Sequence, residues 1–135
     1  MSLYDWNEKY SVGINSLDQD HQGLFSLVNQ LFEAMRQGQA REILAETLNK
    51  LISYTRTHFK REEVFFSTTN YSDFRDHKKQ HDLFIEKITE FKSQFDKGNQ
   101  KVSIDLIKFL SEWLINHIMV TDKKYSTYLK KFGIS

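Results

Sequence analysis

The sequence contains no cysteine and no proline. The absence of cysteine excludes disulfides, thiolate metal sites and cysteine nucleophiles. The absence of proline favours long, uninterrupted helices, because proline breaks a helix interior. No apolar stretch approaches the roughly 20 residues that cross a bilayer. The first ten residues carry Asp5 and Glu8 and no apolar run, so we expect no secretory signal, no membrane partner and a cytoplasmic location.

The chain also lacks an excess of charge of either sign. Its 19 basic and 18 acidic residues leave a net charge of +1. The two signs are interspersed along the chain, so no nucleic-acid partner is expected. With 135 residues, of which 39% are hydrophobic and 27% charged, the composition is that of one soluble domain. The 11 phenylalanines predict a core rich in aromatic rings.

Helical periodicity dominates what is present. Apolar residues recur at spacings of three and four in four stretches, at 17–35, 44–65, 74–95 and 106–117. Short linkers between these stretches make successive helices antiparallel neighbours. The sequence therefore predicts an all-α fold, an up-down-up-down antiparallel four-helix bundle with an N-terminal arm and a short C-terminal helix. We expect a single domain over residues 1–135, with the arm at 1–16 and the bundle and tail at 17–131.

The histidines are the most informative residues. All five lie in the inward stripes of the predicted helices: His21, His58, His77, His81 and His117. With about three inward positions in seven, five independent placements would all fall inside roughly one time in seventy. One inward histidine is usually a core residue with a hydrogen-bond partner, but five together favour a shared partner. A metal is the best candidate, because neutral imidazole is the commonest metal-binding side chain.

Two carboxylates have helical spacings that bring them to the histidines. His77 and His81 are four residues apart, as are His58 and Glu62, so each pair faces one point. Glu63 points about 100° away from Glu62 and is predicted to be solvated or to contact a ligand from outside. Asp122 follows His117 by five residues, so both face one centre only if the helix widens or ends locally, as a π-type turn would allow.

Seven ligands are too many for one tetrahedral zinc ion. They suit two six-coordinate ions bridged by Glu62, Asp122 and one solvent-derived oxygen. The three histidines His77, His81 and His117 would complete one ion. His21 and His58 would leave the other ion with five ligands and one open position, which suits a small diatomic ligand.

The sequence resembles the hemerythrin family, in particular its bacterial members, over nearly the whole chain. The resemblance rests on Trp6, Ser11-Val-Gly-Ile14, Asp18-Gln-Asp-His21, His58-Phe59 with Glu62-Glu63, His77-Lys-Lys-Gln-His81, Trp113-Leu-Ile-Asn-His117 and Asp122-Lys-Lys-Tyr125. All seven family ligand positions carry the expected residue type.

The resemblance implies a pair of iron ions with carboxylate and oxo or hydroxo bridges, and reversible binding of dioxygen rather than enzymatic turnover. It also implies a dry oxygen pocket, at positions matching Leu24, Phe59, Trp113, Leu114 and Ile118. The expected role is an oxygen carrier, store or sensor, with an oxygen-consuming enzyme as one partner and a monomer as the favoured state.

Three alternative functions are also consistent with the sequence. A di-iron oxidase or peroxidase-like enzyme would show an adduct that decays with substrate turnover, although histidine-rich ligation disfavours it. A redox- or oxygen-sensing signalling module would belong to a longer protein with an output domain. An iron-storage protein would load more than two irons per chain.

Overall fold

A computed structural model describes residues 5–99, 101–113, 116–118 and 122–135. It contains five α-helices, listed in chain order as α1 at Asn15–Arg36, α2 at Ala40–Thr69, α3 at Phe74–Asp96, α4 at Val102–Trp113 and α5 at Lys123–Lys130. Residues 116–118 and residue 122, between α4 and α5, are π-helical. Within the described ranges, no helix is both long and apolar enough to cross a membrane.

The bundle is formed by α1 to α4. Helix α1 packs against α2 and α4, and helix α3 packs against the same two helices, so consecutive helices are neighbours around the bundle. Each of the first three helices is followed within two residues by a residue with positive φ, namely Gly38, Asn70 and Gly98. Each of these turns is short, which reverses the chain direction between neighbours. The predicted antiparallel bundle is therefore confirmed, with α5 as its short C-terminal helix.

The arm is fixed to the start of α1. Ser11 Oγ donates to Asp18 Oδ2 at 2.6 Å, and the Val12 backbone N–H donates to Asp18 Oδ1 at 2.8 Å. Helix α1 begins at Asn15 rather than at residue 17. Asp18 lies in the first turn of α1, where its negative charge interacts favourably with the helix dipole, and its hydrogen bonds hold the arm at the helix start.

Two apolar clusters divide the interior. The larger cluster includes Leu24, Phe59 and Phe84, and the smaller cluster includes Leu17 and Phe66. Both clusters are almost fully buried. Along α1, α2 and α3, a residue of each cluster flanks the candidate ligands on that helix. The histidines and carboxylates therefore form a polar layer between two apolar ones, where they are shielded from water.

Candidate metal centre

All seven sequence-predicted ligands converge in this polar layer. None of their side chains is more than 3% exposed, and they come from α1, α2, α3 and the segment that joins α4 to α5. They fall into two groups, and within each group the ligand atoms all lie within 4.8 Å of one another. Burial of so many ionisable side chains is costly unless each is paired or bound to a cation. The structure therefore brings all seven residues together, while their role as metal ligands and the identity of the ion remain predictions.

The three-histidine group consists of Glu62, His77, His81 and His117. His81 Nε2 lies 2.9 Å from Glu62 Oε1, and His77 Nε2 lies 3.4 Å from the same oxygen. His77 and His81 present their rings to one point because they are one helical turn apart on α3. The three Nε2 atoms and one carboxylate oxygen form a set of donors that suits a divalent transition metal.

The two-histidine group consists of His21, His58, Glu62 and Asp122. His21 Nε2 lies 3.1 Å from His58 Nε2 and 3.1 Å from Asp122 Oδ2. His58 Nε2 lies 3.4 Å from Glu62 Oε1, one turn further along α2. This group has one histidine fewer than the other, as the sequence predicts, and shares Glu62 with it.

Asp122 faces both groups with different oxygens. Its Oδ1 lies 2.8 Å from His117 Nε2 and 3.1 Å from His77 Nε2, whereas its Oδ2 faces His21. One carboxylate oxygen per group is the arrangement that a bridging carboxylate needs. The π-helical geometry at residues 116–118 and 122 turns Asp122 inward despite its five-residue spacing from His117.

Glu62 is arranged differently from Asp122. Its Oε1 faces His58, His77 and His81, whereas its Oε2 accepts a hydrogen bond of 2.5 Å from the Tyr125 hydroxyl. Tyr125 is completely buried, so this bond fixes the orientation of the carboxylate.

Three histidine rings are oriented by hydrogen bonds at Nδ1. The partners are Asp20 for His58 at 2.9 Å, Glu63 for His81 at 3.0 Å and Gln80 for His117 at 2.8 Å. In each case the acceptor is an oxygen, so Nδ1 donates its proton to it and Nε2 is left to face the other ligands. Asp20 also accepts a hydrogen bond from Arg61 Nε at 2.9 Å. Glu63, predicted to contact a ligand from outside, does so here.

The unsatisfied atoms of the layer test whether a metal fits. Among the residues that the structure describes, buried atoms without a hydrogen-bond partner include Nε2 of His77, His81 and His117, Oε1 of Glu62 and both carboxylate oxygens of Asp122. Such orphaned atoms are rare in folded proteins and each is destabilising. They all face the interior of the two groups, where one bound cation per group would satisfy them. The residues therefore fit a pair of metal ions.

The electrostatics of the layer keep its carboxylates charged. Burial and repulsion from the Asp122 carboxylate raise the pKa of Glu62. Interactions with His58, His77 and His81 lower this pKa by a larger amount, so that it lies well below its usual value. Burial likewise raises the pKa of Asp122, and His117, His21 and His77 bring it well below the ordinary value. Both carboxylates are therefore anionic at neutral pH, which favours binding of a cation.

Two histidines of the three-histidine group are shifted in opposite directions. Burial lowers the pKa of His77, but the carboxylates of Asp122 and Glu62 raise it more, to about 9. Burial lowers the pKa of His117, and the nearby Asp122 carboxylate does not reverse the effect. Without metal, His77 therefore holds a proton that a cation must displace, while His117 is neutral.

The predicted oxygen-pocket residues lie on the apolar side of the layer. The Phe59 ring stacks on His81 with centroids 3.8 Å apart, and the Trp113 ring stacks on His117 at 3.9 Å. Leu24, Phe59 and Ile118 belong to the larger apolar cluster, and Trp113 packs against it. Leu114 lies outside the described residues. Their role around a bound gas molecule remains a prediction.

Four residues contact ligands although these contacts were not predicted from the sequence. They are Asp20, Gln80, Tyr125 and Tyr54, whose ring stacks on His58 with centroids 5.1 Å apart. Tyr125 follows Asp122 by three residues, which is a helical spacing that could have indicated it. Tyr54 precedes His58 by four residues on α2, so the same kind of spacing could have indicated it. Asp20 and Gln80 contact histidines on other helices, which sequence spacing does not specify.

Residues 12–129 match the family model described as the hemerythrin HHE cation binding domain. The bacteriohemerythrin of Pseudomonas aeruginosa is 35% identical over 120 residues, which cover 89% of this chain and 77% of that protein. The bacteriohemerythrin of Methylococcus capsulatus is 32% identical over 130 residues, which cover 96% of this chain and 98% of that protein. A crystal structure of wild-type hemerythrin superimposes with a TM-score of 0.85 and 31% identity, over 95% of this chain and 98% of that one.

The fold and the two ligand groups define a four-helix protein with a histidine-rich site suited to a pair of metal ions. The chain belongs to the hemerythrin family.

Proposed function

We propose that this protein binds dioxygen reversibly at a non-haem di-iron centre held by His21, His58, Glu62, His77, His81, His117 and Asp122. The observation that supports it best is the asymmetry of the site. Two buried groups share Glu62, yet one has three histidines and the other has two. Two ions bound this way have unequal numbers of protein ligands. The ion of the two-histidine group therefore keeps a position for a small diatomic molecule.

Two bound ferrous ions would supply the electrons and the open coordination position with which dioxygen is held and released. The chain contributes orientation, charge and water exclusion. Asp122 directs one oxygen to each group, and Tyr125 holds the Glu62 carboxylate by its hydrogen bond. Phe59 and Trp113 cover ligand rings with apolar surface, and water exclusion of this kind protects a labile adduct.

The same residues favour binding over catalysis. Besides the two carboxylates, every candidate ligand is a neutral imidazole donor when metal is bound, and fewer anions disfavour strongly oxidised iron. We therefore expect an oxygen carrier, store or sensor without enzymatic turnover. We also expect a monomer in the cytoplasm, with dioxygen as ligand and an oxygen-consuming enzyme as one partner.

Reconstitution tests the proposal directly. The metal-free protein is loaded with ferrous iron without oxygen, exposed to air and then deoxygenated while the visible spectrum is recorded. We expect two irons per chain and a colour that appears and disappears reversibly. A spectrum that bleaches irreversibly, or iron binding well below this ratio, contradicts the proposal.

Pocket residues are tested by a matched pair of variants. Phe59 and Phe91 are both 3% exposed members of the larger apolar cluster, but only Phe59 stacks on a histidine of the site. We expect Phe59→Leu to retain iron and shorten the lifetime of the oxygen adduct, because its smaller side chain admits water. Phe91→Leu is the control for general loosening of the core, and equal lifetimes in the two variants count against the pocket.

A further inference from the structure

A surface cavity leads to one of the candidate ligands. It has a volume of about 180 Å³ and lies between the start of α3 and the start of α5. Its wall is formed by Tyr71, Asp73, Asp76, His77, Gln80 and Lys124. His77 also belongs to the three-histidine group. This cavity, which we call the acidic cavity, therefore connects the protein surface to the candidate centre.

The residues of the acidic cavity become less exposed toward the centre. Asp73 and Asp76 are exposed, so they lie at its mouth, and Gln80 is half-buried. Tyr71 is 8% exposed and His77 only 2%. An ion that arrives from solvent therefore meets the two carboxylates first and the candidate ligand last.

Two buried side chains line the acidic cavity with polar atoms that lack a protein partner. Among the described residues, no hydrogen bond is formed by the Tyr71 hydroxyl or by His77 Nδ1. Burial raises the pKa of Tyr71 to about 12, and the Asp73 and Asp122 carboxylates contribute to this shift. The hydroxyl is therefore neutral and lies in a negative potential. Because buried polar atoms are rarely left without partners, these two point to a ligand such as a cation with its water shell.

A second cavity, of about 240 Å³, reaches the three-histidine group at His117 but suits a cation less well. Its wall contains the carboxylate of Glu112 beside the indole ring of Trp113. The Trp113 ring stacks on His117 with centroids 3.9 Å apart. Gln80 lines both cavities, and its Oε1 accepts a hydrogen bond of 2.8 Å from His117 Nδ1. His117 is therefore covered and held in place on this side, whereas no hydrogen bond holds His77 Nδ1.

We propose that ferrous ions enter the centre through the acidic cavity, where Asp73 and Asp76 attract them and His77 is the first ligand that they meet. The proposal rests on the proposed function, because it concerns how iron reaches that site. Two carboxylates at the mouth of a narrow cavity raise the local concentration of cations and the rate at which they arrive. Lys124 lines the same cavity and opposes this attraction, so that an ion is attracted without being held at the mouth.

The rate of iron uptake tests the acidic cavity. Metal-free protein is mixed with ferrous iron without oxygen at low ionic strength, and the iron that remains free is measured at increasing times with a chromophoric chelator. The test variant combines Asp73→Asn with Asp76→Asn. The matched control combines Asp82→Asn with Glu112→Gln, which removes two negative charges from exposed positions outside the acidic cavity.

The test variant is designed to keep the fold. Asp73 precedes α3 and forms no capping hydrogen bond through its side chain, and asparagine is equally suited to that position. Circular dichroism of each variant checks the fold before uptake is measured. Lys124→Gln is a third variant, for which the proposal predicts a gain that partial unfolding does not explain.

We expect the test variant to take up iron about 10-fold more slowly than the parent protein, because it lacks the charges that steer cations to the cavity. The matched control should take up iron at close to the parent rate, and Lys124→Gln should take it up faster. Added salt should reduce the difference between the parent protein and the test variant, since exposed charges are screened. The final iron content should be the same in all of them, because none of the substituted residues belongs to a ligand group.

Three results would overturn the acidic cavity as the route of entry. One is equal uptake by the parent protein and the test variant. Another is equal slowing in the test variant and its matched control. The third is uptake by Lys124→Gln that is no faster than in the parent protein.

The final iron content and the dioxygen spectrum of the same samples report separately on the proposed function. Protein that binds two irons and dioxygen reversibly, but shows one of these three results, refutes the route alone. Protein that binds no iron refutes both proposals.

Discussion

The two ligand groups are built from the same residue types but are supported differently. In the three-histidine group, His81 and His117 each combine a hydrogen bond at Nδ1 with a closely stacked aromatic ring. In the two-histidine group, His58 has such support from Asp20 and Tyr54. His21 Nδ1 is buried without a hydrogen-bond partner among the described residues. The comparison shows that two of the three histidines in one group, and one of the two in the other, have both a hydrogen bond at Nδ1 and a stacked ring.

Removal of the shared ligand should have the largest effect, because both groups lose a ligand at once. Glu62→Ala takes away the carboxylate that belongs to both and leaves its histidine contacts unpaired. We expect iron content to fall from two per chain to near zero. The measurement is iron per folded chain by elemental analysis, with Glu46→Ala at an exposed position of α2 as control. Retention of iron at the parent level would show that Glu62 is not a ligand.

A pH titration of the metal-free protein should distinguish the histidines within the three-histidine group. The pKa of His77 rises from 6.5 to about 9 on folding, so its protonation stabilises the fold fully below pH 6.5. That stabilisation, about 3 kcal/mol at most, is lost as the pH rises through 9. We expect the free energy of unfolding to decrease over this window, as measured by denaturant titration.

Two comparisons make this titration specific. His21 and His81 also have raised pKa values and contribute with the same sign, so His77→Gln should reduce the slope without removing it. Iron-loaded protein should lack the dependence, because the metal replaces the proton. An equal slope in metal-free and iron-loaded protein would contradict the assignment of these histidines as ligands.

Substitution of the hydrogen-bond partners at Nδ1 should have intermediate effects on iron binding, with one variant for each ligand group. Asp20→Asn perturbs the ring of His58, and Glu63→Gln perturbs the ring of His81. Loss of such partners typically weakens metal binding about 10-fold to 100-fold. Competition with a chelator should show that each variant weakens one of the two bound irons and leaves the other close to the parent affinity. If both variants weaken the same iron, the division into two groups is wrong.

The smallest expected effect concerns the arm. Val12→Ala shortens a side chain of the smaller cluster but keeps its backbone hydrogen bond to Asp18. We expect a loss of about 1 kcal/mol of stability and no change in iron content. Thermal unfolding of the iron-loaded protein measures the first, and elemental analysis the second. A loss of iron would show that the arm controls the centre directly.

Periodicity and spacing predicted the features that repeat along one helix. The bundle, the four inward stripes and the pairs His58–Glu62 and His77–His81 all follow from the 3.6-residue turn. The five-residue step from His117 to Asp122 also predicted that the helix widens or ends locally, and the structure shows π-helical geometry at residues 116–118 and 122. These predictions succeeded because each depends on residues close together in sequence.

Contacts between helices were not predictable in the same way. Asp20 and His58 are 38 residues apart, and nothing in their spacing specifies that Nδ1 of one ring meets the carboxylate of the other. Gln80 and His117 are a similar case. The start of α1 at Asn15 accompanies the hydrogen bond from the arm backbone to Asp18. Sequence spacing does not specify which of several polar neighbours Asp18 binds.

The two ends of the described chain hold each other. Ser126 Oγ donates to the backbone carbonyl of Val12 at 2.5 Å, and the arm shares the smaller cluster with Tyr125 and Leu129 of α5. Asp122 comes immediately before α5. A tension applied to either terminus would therefore open this clasp first, and the ligand next to it would shift while α1 to α3 were still folded.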